Sequence, residues 1–326
     1  MELNRRDFLG LLGSSLAIAP IGFASEQKSH LSASSLKLSL SQWSFHRAIL
    51  GNSKEDYDQF IRALHTSPDS VLAGNLDPRD ICKISSSLEI PYVDLVNTLF
   101  FGHHSDLEYL KDFNKRADDN GVSFQLLMCD ECGSLGAESS SERQASINSH
   151  LRWLEAAAIL GCKQLRVNAY GEGSYLQQLN RCAESLHRLS NECESYGVEL
   201  LVENHGHASN NAAWLAMLIE NVNHPNLGLF TDLDNFFLGG WNITPERRYD
   251  RTQGIIDLAP YTRGVSVKAH DFDSAGNEVT IDYKALFSIL THAGFNGKYS
   301  IEYEGDRLSE LEGTLATKLA TEKALL

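Results

Sequence analysis

Four polar residues of types that bind metals and move protons recur at the ends of apolar segments in the second half of the chain. They are Glu203, Asp232, His270 and Glu302. An apolar run that breaks into polar groups is typical of a buried parallel strand at its carboxyl end. The four residues are separated by 29, 38 and 32 positions, each close to one strand–helix unit. Consecutive strands of a barrel would therefore bring all four side chains to one mouth.

Three carboxylates and one imidazole form a ligand set for a divalent cation that leaves positions open for substrate. Mn²⁺ is the expected ion, and Zn²⁺, Co²⁺ and Mg²⁺ stay as alternatives because ligand type does not rank them. A cation that chelates a carbonyl and a neighbouring hydroxyl stabilises an enediolate. The expected chemistry is proton removal from the carbon next to a carbonyl, with Glu203 and Glu302 as catalytic base and acid.

Four further side chains are expected to bind substrate. They are His205, Lys268, Arg166 and Asn168. His205 lies two residues after Glu203, on the same side of its strand, and a purely structural hydrogen bond is the alternative role. Lys268 lies two residues before His270, on the same side of the strand. It could therefore bind an oxyanion or pair with a neighbouring carboxylate.

Two ligand positions have a close competitor. Asp232 is preferred to Asp234 because it is nearer the strand end, and Glu302 is preferred to Glu304 because it is nearer the apolar core. Other polar residues near strand ends are interpreted as capping or solvated loop groups: Asp271, Asp273, His103 and His104. The Cys129 and Cys132 pair lacks a second pair for a zinc site, so packing is expected for Cys129.

Short apolar strands alternate with amphipathic helices along most of the chain. The predicted strands are Leu36–Phe45, Pro91–Phe101, Val122–Met128, Lys163–Asn168, Val198–Val202, Leu227–Thr231, Gly264–Ala269 and Tyr299–Tyr303. The predicted helices are 54–65, 78–88, 141–160, 175–196, 211–220, 245–258, 283–292 and 309–325. Eight such units without a change in composition predict an α/β fold, a single (β/α)8 TIM barrel with its metal site at the C-terminal mouth.

The motifs after residue 200 resemble those of the xylose isomerase-like barrel superfamily, and in particular its exported sugar phosphate isomerase/epimerase branch. The matching segments are 203–206, 226–236, 268–273 and 297–305, and the similarity extends over residues 36–326. The resemblance implies one divalent metal bound by Glu203, Asp232, His270 and Glu302. The departure is Asp234, where relatives often carry glycine.

The N-terminal 35 residues are expected to lie outside the barrel. Residues 1–24 resemble a twin-arginine signal peptide, with Arg5 and Arg6 before an apolar stretch too short to span a bilayer. Residues 25–35 are then a polar linker, and residues 36–326 form the barrel. The expected destination is the periplasm or the exterior, with no stable membrane anchor after signal removal.

A small carbohydrate is the expected partner, and an oligomer is compatible with the sequence. The formal net charge of −15 and the pI near 5.2, with scattered basic residues, argue against nucleic acid as a partner. The predicted activity is a metal-dependent sugar isomerase or epimerase acting on a non-phosphorylated keto sugar. The alternatives are a dehydratase or 3-keto-glycoside lyase that uses the same intermediate, and a non-catalytic sugar-binding barrel.

Overall fold

Eight parallel strands close on themselves in chain order in the computed structural model, which describes residues 37–240 and 243–326. The strands β1 to β8 are Leu38–Ser41, Tyr92–Val96, Ser123–Met128, Gln164–Asn168, Glu199–Glu203, Leu227–Asp232, Thr262–Ala269 and Lys298–Tyr303. The helices α1 to α10 are His46–Leu50, Tyr57–Thr66, Ile81–Ser87, Leu107–Asp119, Ser140–Leu160, Tyr175–Ser195, Ala212–Val222, Arg251–Leu258, Tyr283–His292 and Glu310–Ala324. The predicted (β/α)8 barrel is confirmed.

The strands are apolar because each is covered on both faces. Leu200, Leu201 and Val202 of β5 are all fully buried, with neighbouring residues pointing alternately into the barrel and toward the outer helices. β5 pairs in register with β4 on one side and β6 on the other, so that Glu203 lies beside Asn168 and Phe230. The register places the carboxyl ends of β4 and β5 at the same level, and β6 continues two residues beyond them.

Local sequence determines where the long helices begin and end. Ser174 and Gln177 form a reciprocal capping box at the start of α6. Gly161 ends α5 in the left-handed region with a φ of 77°, a conformation that glycine adopts without steric cost. These signals were readable from the sequence, and the predicted bounds of both helices agree with the structure to within one residue.

The structure differs from the predicted elements in four main places. The first strand was predicted to run to Phe45, but β1 ends at Ser41, whose side chain caps a 3₁₀ turn over Gln42–Phe45. The helix predicted from Pro245 begins at Arg251, because the Asp250 side chain caps its first turn. Helix α4 was missed, although its buried residues Leu110, Phe113 and Ala117 follow helical spacing. The second strand is also shorter than predicted and ends at Val96.

The predicted signal peptide and linker lie outside the described residues. Within residues 37–240 and 243–326, no helix combines the length and apolar character that a bilayer crossing requires.

A carboxyl that was not predicted as a site residue is buried inside the barrel. The Asp94 side chain, on β2, accepts a hydrogen bond of 2.5 Å from the Ser39 hydroxyl, and its other oxygen has no hydrogen-bond partner among the described residues. Burial raises the pKa of Asp94 from its usual 3.8 to about 7. Between these two pH values the folded chain holds a proton that the unfolded chain has lost, so this group's contribution to stability falls as the pH rises.

Replacing this carboxyl with a neutral amide should remove that pH dependence. We expect Asp94→Asn to gain stability over the wild type from pH 4 to pH 7, reaching a constant advantage of roughly 2–4 kcal/mol above pH 7. Denaturant unfolding at several pH values measures this difference. Asp118→Asn, at an exposed position on α4, is the control and should not change the profile. A constant difference between Asp94→Asn and wild type at every pH would contradict the assignment.

Candidate functional site

The carboxyl ends of the strands surround a cavity of about 480 Å³. Six of the predicted site residues line it: Arg166, Asn168, Glu203, His205, Lys268 and Glu302. The other two, Asp232 and His270, do not line it. Asp232 is fully buried beside the cavity, whereas the His270 side chain is 38% exposed. The barrel therefore gathers most of the predicted residues at one mouth, as the strand spacing indicated.

Arg166 connects two carboxylates on the β3–β5 side of the cavity. Its Nε lies 2.6 Å from Glu203 Oε2, an ion pair without the alignment of a hydrogen bond, and its Nη1 donates to Asp130 Oδ1 at 2.6 Å. Burial raises the pKa of Glu203 well above its usual value, although the Arg166 charge opposes this rise. For Asp130, burial is outweighed by the Arg166 charge, which holds its pKa well below the usual range. Asn168 also donates to Asp130, at 2.8 Å.

Asp130 was not predicted as a site residue. It follows the end of β3 by two positions and lies between Cys129 and Cys132. The signal that identified Glu203, a polar residue where an apolar strand ends, was present here too. Cys129 and Cys132 are both buried and free, in keeping with the packing role expected for Cys129.

Lys268 lies at the centre of a second group of carboxylates. Its Nζ donates a short hydrogen bond to Glu302 Oε1 and lies 3.2 Å from Glu304 Oε2 and 3.5 Å from Asp232 Oδ2. Burial alone would lower the pKa of Lys268, but these three carboxylates outweigh it and raise that pKa well above its usual value. Lys268 is therefore a buried ammonium ion with three acidic neighbours.

The remaining oxygens of these carboxylates have protein donors. The Ser41 hydroxyl donates to Glu302 Oε2 at 2.7 Å, and Trp43 Nε1 donates to Glu304 Oε1 at 2.6 Å. Asp232 Oδ1 accepts from two backbone N–H groups, those of Asp234 and Asn235, at 2.7 and 2.9 Å. Only Asp232 Oδ2, which faces Lys268 at 3.5 Å, makes no hydrogen bond within the described part of the chain.

His270 faces a different set of partners. Its Nε2 lies 3.0 Å from Asp234 Oδ2, and this hydrogen bond raises the pKa of His270 above its usual value. Asp234 also accepts from Arg248 at 2.9 Å and from Arg251 through a short hydrogen bond. The extra aspartate of the sequence thus forms its own ion-pair cluster, and His270 belongs to that cluster.

The predicted four-ligand metal set is not brought together. His270 is turned to Asp234, and Lys268 Nζ lies among the carboxylates where the ion was expected. Among the described residues, no group of three or more histidine, cysteine, aspartate or glutamate side chains is positioned to hold a metal ion. The donor set in the cavity, an ammonium with carboxylates, does not fit a divalent cation.

His205 forms a neutral polar wall of the cavity. Its Nδ1 lies 2.7 Å from the Tyr170 hydroxyl, and burial lowers the pKa of His205 to about 3. The imidazole therefore stays neutral at physiological pH and offers hydrogen bonds without charge.

Aromatic and basic residues from the segment between β1 and β2 complete the mouth, and the sequence prediction did not include them among the site residues. Trp43, Tyr57 and Phe60 line the cavity together with Lys54, whose Nζ lies 4.2 Å from the centre of the Trp43 ring. Tyr57 donates to Glu131 at 2.6 Å. Flat aromatic faces beside polar groups suit a sugar ring, which has both apolar C–H and polar O–H surfaces.

Asp271, Asp273 and His103, which were expected to have structural roles, make structural contacts outside the metal-ligand set. Asp271 accepts from the Phe272 N–H at 2.8 Å, and Asp273 accepts from two backbone N–H groups of its loop. His103 stacks on Tyr109 outside the cavity, with ring centres 4.0 Å apart.

Comparisons with known proteins identify the fold. The family model described as a xylose isomerase-like TIM barrel matches residues 85–324. A sugar phosphate isomerase/epimerase from Parabacteroides distasonis is similar in structure, with a TM-score of 0.61 at 12% identity over 92% of this chain and 98% of that chain. The 3-keto-D-glucoside 4-epimerase from E. coli has a TM-score of 0.57 at 15% identity, covering 88% of this chain and 99% of its own.

A third similar structure, the IolI protein with a bound zinc atom, has a TM-score of 0.55 at 16% identity over 74% of this chain and 89% of that chain. At such identities these likenesses show the fold and do not transfer residue roles. No curated protein sequence matches the chain.

Proposed function

Because the chain belongs to the xylose isomerase-like TIM barrel family, we propose that it is a sugar isomerase or epimerase acting on a keto sugar. The proposed reaction moves a proton at the carbon next to the carbonyl, through an enediolate. The observation that carries the proposal is the pair of buried carboxylates Glu203 and Glu302, which line one cavity from strands β5 and β8.

Each carboxylate of the pair is held by a cation. Arg166 orients Glu203, and Lys268 with Ser41 orients Glu302. In the proposed step one member of the pair, as the carboxylate, removes the proton from the substrate carbon, and the other, as the carboxylic acid, returns a proton to the product. Proton exchange with water then restores both groups, and the substrate's mass is conserved. His205, with its neutral imidazole, and Asn168 bind substrate hydroxyls from β5 and β4.

The charges in the cavity favour a substrate without phosphate. Its lining has five acidic side chains, at positions 130, 131, 203, 302 and 304, and three basic ones, at positions 54, 166 and 268. Arg166 and Lys268 are already paired with carboxylates, so a phosphate would enter a region of net negative charge. The aromatic wall of Trp43, Tyr57 and Phe60 is compatible with an uncharged sugar ring.

No step of the proposed reaction passes through a metal ion. Mn²⁺, with Zn²⁺, Co²⁺ or Mg²⁺ as alternatives, remains a prediction of the sequence, and the similar IolI structure holds zinc. In this chain Lys268 Nζ lies at the position expected for the ion, between Asp232 and Glu302. Export by the twin-arginine route also remains part of the proposal.

Two other functions use the same cavity. A dehydratase or 3-keto-glycoside lyase would form the same intermediate and then expel a neighbouring substituent, and a sugar-binding barrel would form no intermediate. Product mass separates isomerisation, which conserves mass, from elimination, which loses water or an aglycone.

The experiment is incubation of the mature protein in D₂O with a panel of free keto sugars and 3-keto-glycosides, followed by NMR and mass spectrometry. We expect deuterium to enter next to the carbonyl of a product with the same elemental composition as the substrate. Loss of water or of an aglycone would identify a lyase. Sugar binding without any exchange would reject the enzymatic proposal and leave the binding barrel.

A further inference from the structure

We propose that Lys268 is the resident cation of this site, and that its ammonium group takes the place of a divalent metal. The inference that this group meets the substrate oxygen rests on the proposed function, whereas the inference that the site takes no metal does not. The proposal starts from the position of Nζ, which contacts two carboxylates that were expected to be metal ligands, Asp232 and Glu302.

The Lys268 ammonium lies in the space that a metal ion would need between Asp232 and Glu302. A metal bound by Asp232 and Glu302 would require oxygen–metal distances of about 2.0–2.2 Å. Nζ lies within hydrogen-bond distance of Glu302 and 3.5 Å from Asp232, so the ammonium already occupies the region between them. An ion could enter only if the Lys268 side chain left, because the two positive charges repel each other strongly in a buried site.

His270, the fourth expected metal ligand, is bound to a different partner. His270 lies two residues beyond Lys268, but its imidazole pairs with Asp234. Asp234 is itself held by Arg248 and Arg251, so the partner of His270 is fixed in place by two guanidinium groups. Recruiting His270 to a metal would break this cluster and leave the carboxylate of Asp234 with one hydrogen bond fewer.

The ammonium is also placed to act on substrate. Lys268 lines the cavity, and it has three N–H donors. Glu302 accepts one of them, Glu304 Oε2 lies 3.2 Å from Nζ as an ion pair, and Asp232 Oδ2 at 3.5 Å is beyond a good hydrogen bond. A remaining N–H is available to the carbonyl oxygen of a bound keto sugar, where positive charge stabilises the negative charge that develops as the proton leaves.

The test begins with metal binding, which needs no substrate. Wild-type protein is dialysed against a chelator, exposed separately to Mn²⁺, Zn²⁺, Co²⁺ and Mg²⁺, and examined by elemental analysis and thermal unfolding. We expect no stoichiometric metal and no rise in Tm. A resident metal at a hundredfold excess over its Kd would raise the Tm by about 5 °C.

Lys268→Met removes the ammonium and leaves Asp232, Glu302 and Glu304 facing an open position. This variant should gain a metal-dependent rise in Tm that the wild type lacks. Lys318→Met is the matched control, because Lys318 is also a buried lysine, paired at 3.2 Å with Glu322 on α10 outside the site. It should bind metal no better than the wild type.

If Lys268→Met does not fold, the wild-type measurements still decide the matter. One metal per chain in the wild type, together with a metal-dependent Tm rise that Glu302→Gln abolishes, would overturn the proposal. Loss of sugar exchange on chelation, restored by the ion, would overturn it as well. Failure to find any exchanged sugar would instead count against the proposed function and leave the metal result standing.

Discussion

Glu203→Gln should lower the rate of deuterium exchange next to the substrate carbonyl by roughly 10²–10⁴-fold, the usual contribution of a positioned acid or base. The amide keeps the shape of the carboxylate but cannot accept the substrate proton. The fold should persist, since Arg166 then keeps a one-to-one ion pair with Asp130 at 2.6 Å. Exchange is read by NMR in D₂O, and thermal unfolding checks the fold.

Glu199→Gln is the matched control for this variant. Glu199 begins the same strand, β5, and pairs with Arg263 at 2.5 Å at the opposite end of the barrel from the cavity. It should retain wild-type exchange. Glu302→Gln should lose exchange to a degree similar to Glu203→Gln, because the two-carboxylate scheme needs both. Full exchange in both cavity variants would refute that scheme.

Arg166→Met should destabilise the barrel by roughly 3–5 kcal/mol, the range observed when one partner of a buried ion pair is removed. Arg166 is 4% exposed and is the ion-pair partner of two carboxylates, Asp130 and Glu203. Methionine fills much of the volume, so the loss comes from leaving Asp130 and the buried Glu203 without their cation. Chemical denaturation at neutral pH measures the change in the free energy of unfolding.

Arg263→Met is the control for the loss of a guanidinium from the barrel. Its side chain is 35% exposed and pairs with Glu199, so solvent screens the interaction and the expected loss is about 0–1 kcal/mol. Equal destabilisation by both variants would show that Arg166 does not act through its buried charge. The double variant with Glu203→Gln should recover part of the loss of Arg166→Met, because one buried charge is then absent.

The architecture was predictable because its signals are local and repeated. Each βα unit has its own apolar strand and its own amphipathic helix, and errors in one unit do not change the others. The missed helix Leu107–Asp119 shows this, since the barrel was predicted correctly without it. The boundary errors at Ser41 and Asp250 have one cause, a side-chain cap that ends or begins an element inside a longer favourable pattern.

The location of the site was also predictable. Parallel strands of a barrel present their carboxyl ends at one face, so polar residues that end several strands must converge. Arg166, Glu203, Lys268 and Glu302 all line the cavity as this rule requires. Asp130 obeys the same rule, but Cys129 separates it from the strand end, so it does not directly follow the apolar run.

Strand periodicity and chain order are enough to predict the barrel, the mouth at which the polar residues meet and the carboxylate pair on β5 and β8. The pairing of the charges depends instead on the packed fold, because residues far apart in sequence compete for the same partners. Asp234, itself paired with two arginines, binds His270, and Lys268 lies among Asp232, Glu302 and Glu304. A buried charge pairs with the nearest opposite charge in the folded structure. Spacing along the chain does not predict which residue that partner is.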